Sequence, residues 1–258
     1  MCDRNQLSIK KCQNEATETD GQVEPPKNYV SHYSLNSFEK GMQQNQELSI
    51  GQQQGRDHPY EGECIDDIAQ RSGERFSHTN LMRIAFKLLW ALETLHQQGF
   101  CHRDVHCGNV LLRREFDGIV RLKIIDFALS LPLNPPPMPE LNLTSWHASL
   151  PVWWGEAYTR FDDFTSAIFL LLWFVPVNPF GDVRTEYLVK KEKFDENPHV
   201  WFNDEVEWIP NLYTSIQLQR TSGYSHTDLF NVMYKFDPNF DPTSPIAYRV
   251  VDNQLTIE

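Results

Sequence analysis

The chain has 258 residues, of which 40% are hydrophobic and 22% charged, and a formal net charge of −12. That composition supports a globular core, while the acidic balance argues against nucleic acid as a partner, because phosphate binding needs a basic face. The longest apolar run, Ala167 to Val175 before Pro176, falls far short of the ~20 residues that span a bilayer, so no membrane role is expected.

In chain order, residues 1–58 come first. They hold glutamine clusters such as Gln52-Gln53-Gln54 and none of the seven tryptophans. So little apolar surface does not offset the entropy of ordering, and a disordered low-complexity segment is expected. No basic-then-apolar leader opens the chain. The five cysteines, Cys2, Cys12, Cys64, Cys101 and Cys107, are odd in number and form no CxxC pair. They read as free thiols of a reducing compartment, and the expected location is intracellular, cytoplasmic or nuclear.

The first strong helix follows Phe76-Ser77. Leu81, Ile84, Ala85, Leu88, Leu89, Leu92 and Leu95 recur at helical spacing, Ser77 is the expected N-cap, and Gly99 supplies a stop. A β-hairpin follows, with arms Val110-Leu111-Leu112 and Ile119 to Ile125 around an Asp117-Gly118 turn. The five prolines between Pro132 and Pro139 exclude helix and central strand there. Asp163 to Val175 is apolar on nearly all sides and predicts a buried helix. Weaker helical patterns fill Val183 to Lys235, where the Lys190-Lys191-Glu192-Lys193 run reads as a solvated face. The Pro- and Asp-rich tail, 237–258, is expected to be irregular. The fold class is therefore mainly α with a small β-hairpin, the folded body spanning 59–236.

The chemistry concentrates in His102-Arg103-Asp104-Val105-His106-Cys107-Gly108-Asn109, with Asp126-Phe127-Ala128 beginning 17 residues after Asn109. Phosphoryl transfer needs an acid to accept the hydroxyl proton and oxygen ligands for Mg²⁺ on the nucleotide. Asn109 lies just before the first hairpin strand and Asp126 just after the second, each eight residues from its own side of the turn. An antiparallel hairpin returns both to one end, where the loop bearing Asp104 also arrives.

This pattern resembles the H-R-D-x-x-x-x-N and D-F-G motifs of eukaryotic protein kinases. Residues 60–236 as a whole resemble the C-terminal lobe of the casein kinase 1 family. Gly62 to Asp67 and Leu95-His96 match the stretch before the catalytic loop. Trp146-His147-Ala148-Ser149 and Thr159-Arg160-Phe161-Asp162-Asp163 match the end of the activation segment and the helix that follows it, Asn178-Pro179-Phe180 matches L-P-W, and Gly223-Tyr224-Ser225 opens the last helix. The resemblance implies a catalytic base at Asp104 within a catalytic motif that includes His102 and Arg103, with His102 as a packed residue. It implies Mg²⁺ and ATP bound through Asn109 and Asp126, structural support from Asp163 and Phe127, and a protein or peptide substrate or partner.

The departures from the family pattern are equally specific. His106 stands where Ser/Thr kinases carry a lysine, and Ala128 replaces the last glycine of D-F-G. Residues 1–58 contain no G-x-G-x-x-G and no convincing V-A-I-K lysine. The expected function is thus a casein kinase 1-type protein kinase homologue, truncated or a pseudokinase. Two alternatives are a non-catalytic protein-binding module and a small-molecule phosphotransferase, the latter because 104–109 also resembles the H-G-D-x-H-x-G-N loop. A zinc pair at His102 and His106 is disfavoured, since such a pair belongs on a helix. Trp153-Trp154 reads as lobe core before docking surface.

Overall fold

The computed structural model of the protein describes residues 62–73, 75–133, 145–181 and 186–258. The segment 1–58, with Cys2 and Cys12, lies outside these residues, as does most of the proline-rich stretch. Strand β1 (Glu63–Cys64) leads directly into α1 (Ile65–Arg71), and α2 (His78–Gln97) follows. Ser77 caps α2 as expected, accepting from the Asn80 N–H, and Gly99 stops it at a φ of +87°. The apolar stripe of α2 packs against α4 (Arg160–Leu171), ten of whose twelve residues are buried. This pair forms the centre of the core, joined by α6 (Trp208–Ser222) and α7 (His226–Phe236). Between them lie the short α3 (Leu150–Trp153) and α5 (Tyr187–Glu196).

The predicted hairpin is β3 (Val110–Arg114) and β4 (Val120–Ile124), with β1 on the outer edge of β3. Its turn differs by one residue from a two-residue Asp117-Gly118 connection. Glu115 N–H donates to Ile119 O at 2.9 Å, so Phe116-Asp117-Gly118 forms a three-residue loop with Gly118 at φ +78°. Val110 therefore faces Ile124, and Ile125 N–H donates to Asn109 O at 3.0 Å. Asp126 falls one step beyond the ladder, still at the end occupied by Asn109. Pro132 sits in a two-stranded ribbon, where β5 (Leu131–Pro132) pairs with β2 (Phe100–Cys101), a site that tolerates a missing donor.

Two expectations are corrected. The tail is not irregular: β6 (Tyr248–Val251) and β7 (Gln254–Ile257) form a hairpin through Asp252-Asn253, both at positive φ, as a two-residue primed turn requires. Ile246, Leu255 and Ile257 are buried, and the buried Asn80 side chain bonds Ala247 N, Ala247 O and Glu258 O. The tail is thus part of the core. Nor is the lysine run simply solvated. Lys191 is 0% exposed, because α5 turns Lys191 and Phe194 inward three residues apart.

Candidate active site

The loop between β2 and β3 is held from beneath by the N-terminal turn of α4. Asp163 is fully buried and accepts from His102 N–H (2.7 Å), Arg103 N–H (2.8 Å) and the Tyr158 hydroxyl (2.8 Å), with His96 Nε2 also at 2.8 Å. Burial alone would raise this carboxyl. The bonds from His96 and the loop amides outweigh burial and hold it below the usual range. With two such neighbours on each oxygen, Asp163 is an anchor. Its neighbours His96 and Cys101 bring ligand-type atoms within 4.8 Å of it, but the carboxylate has no lone pair to spare for a metal, and burial drives the Cys101 thiol upward, away from thiolate.

His102 is fully buried. Asp104 N–H donates to its Nδ1 (3.2 Å), so the ring proton lies on Nε2, which donates to Ile125 O (3.0 Å). Burial keeps the ring neutral by lowering its pKa. Both nitrogens are occupied, so this ring has no lone pair left for a metal. The ring also packs against Phe127 in a tilted pair, centroids 5.1 Å apart, tying the loop to the second motif. Arg103 holds a left-handed φ of 72° and donates to Leu129 O at 3.3 Å, a second tie to the same segment. Asp126 is likewise left-handed at φ 62°. These are positions where a non-glycine residue stores strain, and both flank the chemistry. Ala128 takes no such conformation, and its N–H caps Asp126 Oδ1 at 3.2 Å. Its Cβ therefore costs the backbone nothing here.

Asp104 is half-buried at the mouth of the loop. Asn109 Nδ2 donates to its backbone O (2.9 Å) and to its Oδ2 (3.1 Å). His106 Nε2 lies 3.5 Å from Oδ2 and His147 Nε2 lies 3.4 Å from Oδ1. His106 Nδ1 accepts the Gly108 N–H at 3.0 Å, so its proton is on the nitrogen facing Asp104. Gly108 is needed for this: a Cβ there would come within 2.8 Å of His106 Cε1. The His106 hydrogen bond, more than its charge, holds the Asp104 carboxyl below its ordinary value, and His147 adds to it. Burial pushes His147 itself down to about 4. Near neutral pH the ring is therefore neutral, with Nε2 3.4 Å from Asp104 Oδ1.

The donor set fits a hard cation. The two amide hydrogens of Asn109 go to Asp104, which leaves Oδ1 as its remaining polar atom, and Asp126 is an exposed carboxylate at the same end of the hairpin. Asn109 Oδ1 and Asp126 would hold Mg²⁺, which when bound would neutralise charge on a transferring phosphate.

The protein kinase domain family matches residues 37–247, reaching back into the stretch expected to be disordered. The chain belongs to the protein kinase family. Among curated relatives, mitogen-activated protein kinase 3 of Arabidopsis thaliana is 25% identical over 198 residues, 73% of this chain and 48% of that protein. A probable casein kinase I homologue of Encephalitozoon cuniculi (strain GB-M1) is 28% identical over 116 residues, 42% of this chain and 35% of that one. A probable serine/threonine-protein kinase of Dictyostelium discoideum is 36% identical over 88 residues, 34% of this chain and 16% of that one. The kinase chain thus spans about half or less of the length of these relatives.

The architecture brings the expected residues of this kinase domain to one place, with Asp163 beneath and Phe127 beside the loop. Sequence reasoning missed His147, Lys191, Tyr158 and the Asp162–Arg220 ion pair (2.8 Å) that joins α4 to α6. Asp162 has a legible signal: it lies three residues after the helix-capping Thr159, whose N–H it accepts at 2.6 Å. His147 lies in the matched 146–149 motif, but its approach to Asp104 has no local signal, and Lys191 carries none. Trp153 is half-buried, whereas Trp154 is 56% exposed. Among the described residues no helix is long and apolar enough to cross a membrane.

Proposed function

We propose that this chain is a casein kinase 1-type member of the protein kinase family that transfers phosphate poorly or not at all: a pseudokinase-like C-terminal lobe that retains Asp104, Asn109 and Asp126. The observation that carries this reading is the bonding of Asp104. A catalytic base must accept a hydroxyl proton from its acceptor substrate. Here one carboxylate oxygen faces His147 and the other faces Asn109 and His106, and the carboxyl lies below its ordinary value. A depressed base with one oxygen hydrogen-bonded and the other covered by an imidazole is a weak proton acceptor. The position of the phosphate-contacting lysine is filled by His106, an imidazole aimed at the base, so electrostatic stabilisation of the transition state is reduced.

The experiment pairs a titration of Mg²⁺–ATP with radiolabelled phosphate transfer to casein and acidic peptides, using Asp104→Asn as the control. Weak Mg²⁺-dependent nucleotide binding without transfer supports the reading. Turnover in the usual kinase range of about 1–100 s⁻¹, abolished by Asp104→Asn, overturns it. A second reading, a protein-binding module, is favoured by the exposed indole of Trp154 just after α3. It predicts peptide capture that is indifferent to Mg²⁺–ATP and lost in Trp154→Ala.

A further inference from the structure

Lys191 is the one lysine of the run on α5 that points into the protein, and nothing in the catalytic constellation uses it directly. Its Nζ donates to Ala148 O and, at 3.4 Å, to Ser145 O. The ammonium also lies 5.2 Å from the Trp153 ring centroid and 5.0 Å from that of Phe169. Among the described residues no carboxylate pairs with it. Burying an uncompensated ammonium is costly, and packing alone would be met by a methionine.

The two carbonyls it grips bracket His147. The carbonyl of His147 itself accepts from the buried Ser166 hydroxyl at 2.7 Å. Residues 145–148 are therefore hung on two buried donors, one from α5 and one from α4, and the side chain between them is the imidazole that faces Asp104 Oδ1 at 3.4 Å.

We propose that Lys191 is a positioning residue that holds 145–148 so that the His147 imidazole stays beside Asp104 Oδ1, covering the base against an acceptor hydroxyl. This rests on the reading of Asp104 as the base. An acceptor must displace His147 to reach Oδ1, so the latch is autoinhibitory, and loosening Lys191 opens it. Burial pushes Lys191 down to about 7, so the latch weakens as pH rises through that value. Among the described residues the surroundings introduce no competing acid. Its own helix contributes Lys190, whose ammonium is engaged with Phe180 O, and the residues packed on it from α3 and α4 are Trp153 and Phe169. His147 is the titratable group on the segment it grips, and both Lys191 and His106 lower that imidazole further.

The test is nitrogen-15 NMR of the histidine side chains in the full chain, with Lys191→Met beside wild type. In wild type, His147 is expected in its neutral form down to about pH 4 to 5. In Lys191→Met its titration midpoint should rise by roughly one unit or more, as the charge disappears and the segment loosens. A folded Lys191→Met protein with the His147 midpoint unchanged overturns the proposal. Where the variant fails to fold, wild type alone decides. The His147 ring signals should shift between pH 6 and 8.5 as Lys191 titrates, and signals that stay fixed across that range overturn it. None of these readouts needs phosphate transfer, so a failed transfer assay bears on Asp104 and not on Lys191.

Discussion

Asn80→Ala is the sharpest test of how this lobe is closed. The Asn80 side chain is 1% exposed. It donates to Ala247 O (3.0 Å) and Glu258 O (2.7 Å) and accepts from Ala247 N–H (2.8 Å), so one amide on α2 satisfies three backbone groups of the tail. At about 0.5–1.5 kcal/mol for each hydrogen bond, the loss comes to about 3 kcal/mol. For a body of some 200 residues that is a fall of roughly 6–12 °C in midpoint. Urea unfolding should show a lower midpoint with an unchanged slope, and the amides of Ala247 and Ile257 should exchange faster while the core of α2 stays protected. Val250→Ala, at a site 47% exposed, should change stability by less than about 0.5 kcal/mol. An Asn80→Ala loss below about 1 kcal/mol would mean that the tail does not close the core.

Three further outcomes follow from the site. Asp163→Ala strands two loop amides, a tyrosine hydroxyl and His96, and should cost about 3–5 kcal/mol by urea unfolding; an unchanged midpoint would remove its role as anchor. Gly108→Ala puts a Cβ against the His106 ring, so it should displace the imidazole and release its hydrogen bond to Asp104. The check is loss of the slowly exchanging His106 Nε2–H signal in a protein that remains folded. The third concerns pH. The Lys191 ammonium falls from 10.5 to about 7 in the fold, so between those values the unfolded chain binds a proton that the folded chain does not. Stability therefore rises with pH across that window by up to about 1.4 kcal/mol per pH unit. The charge cost is fully present below about 7 and gone above 10.5. Lys191→Met should remove that slope; a wild-type and variant difference that stays flat from pH 7 to 9 would refute it.

Local chemistry determined much of this protein from its sequence alone. Ser77, the apolar stripe from Leu81 to Leu95 and Gly99 specify α2, because caps and periodicity act within a few residues. The paired motifs bracketing a hairpin placed Asn109 and Asp126 at one end, because antiparallel strands return to their origin. Even the tail hairpin had a local signal, Asp252-Asn253 between Val250-Val251 and Leu255-Thr256-Ile257, which the acidic, proline-containing composition around it obscured. The exact register was less legible, since Asp117-Gly118 suits both a two- and a three-residue loop, and the Glu115–Ile119 bond selects the longer one.

Tertiary structure alone decided which side chains face the base. Nothing near His147 in sequence marks it as a neighbour of Asp104, 43 residues earlier. The two meet because α4 holds the loop through Asp163 and the 145–148 segment through Ser166. Lys191 looks like one of three surface lysines until α5 packs its second turn inward and trades water for two carbonyls and two aromatic faces. Burial and charge at the site are properties of that packing, and they arise only when segments far apart in the chain share one low-dielectric volume.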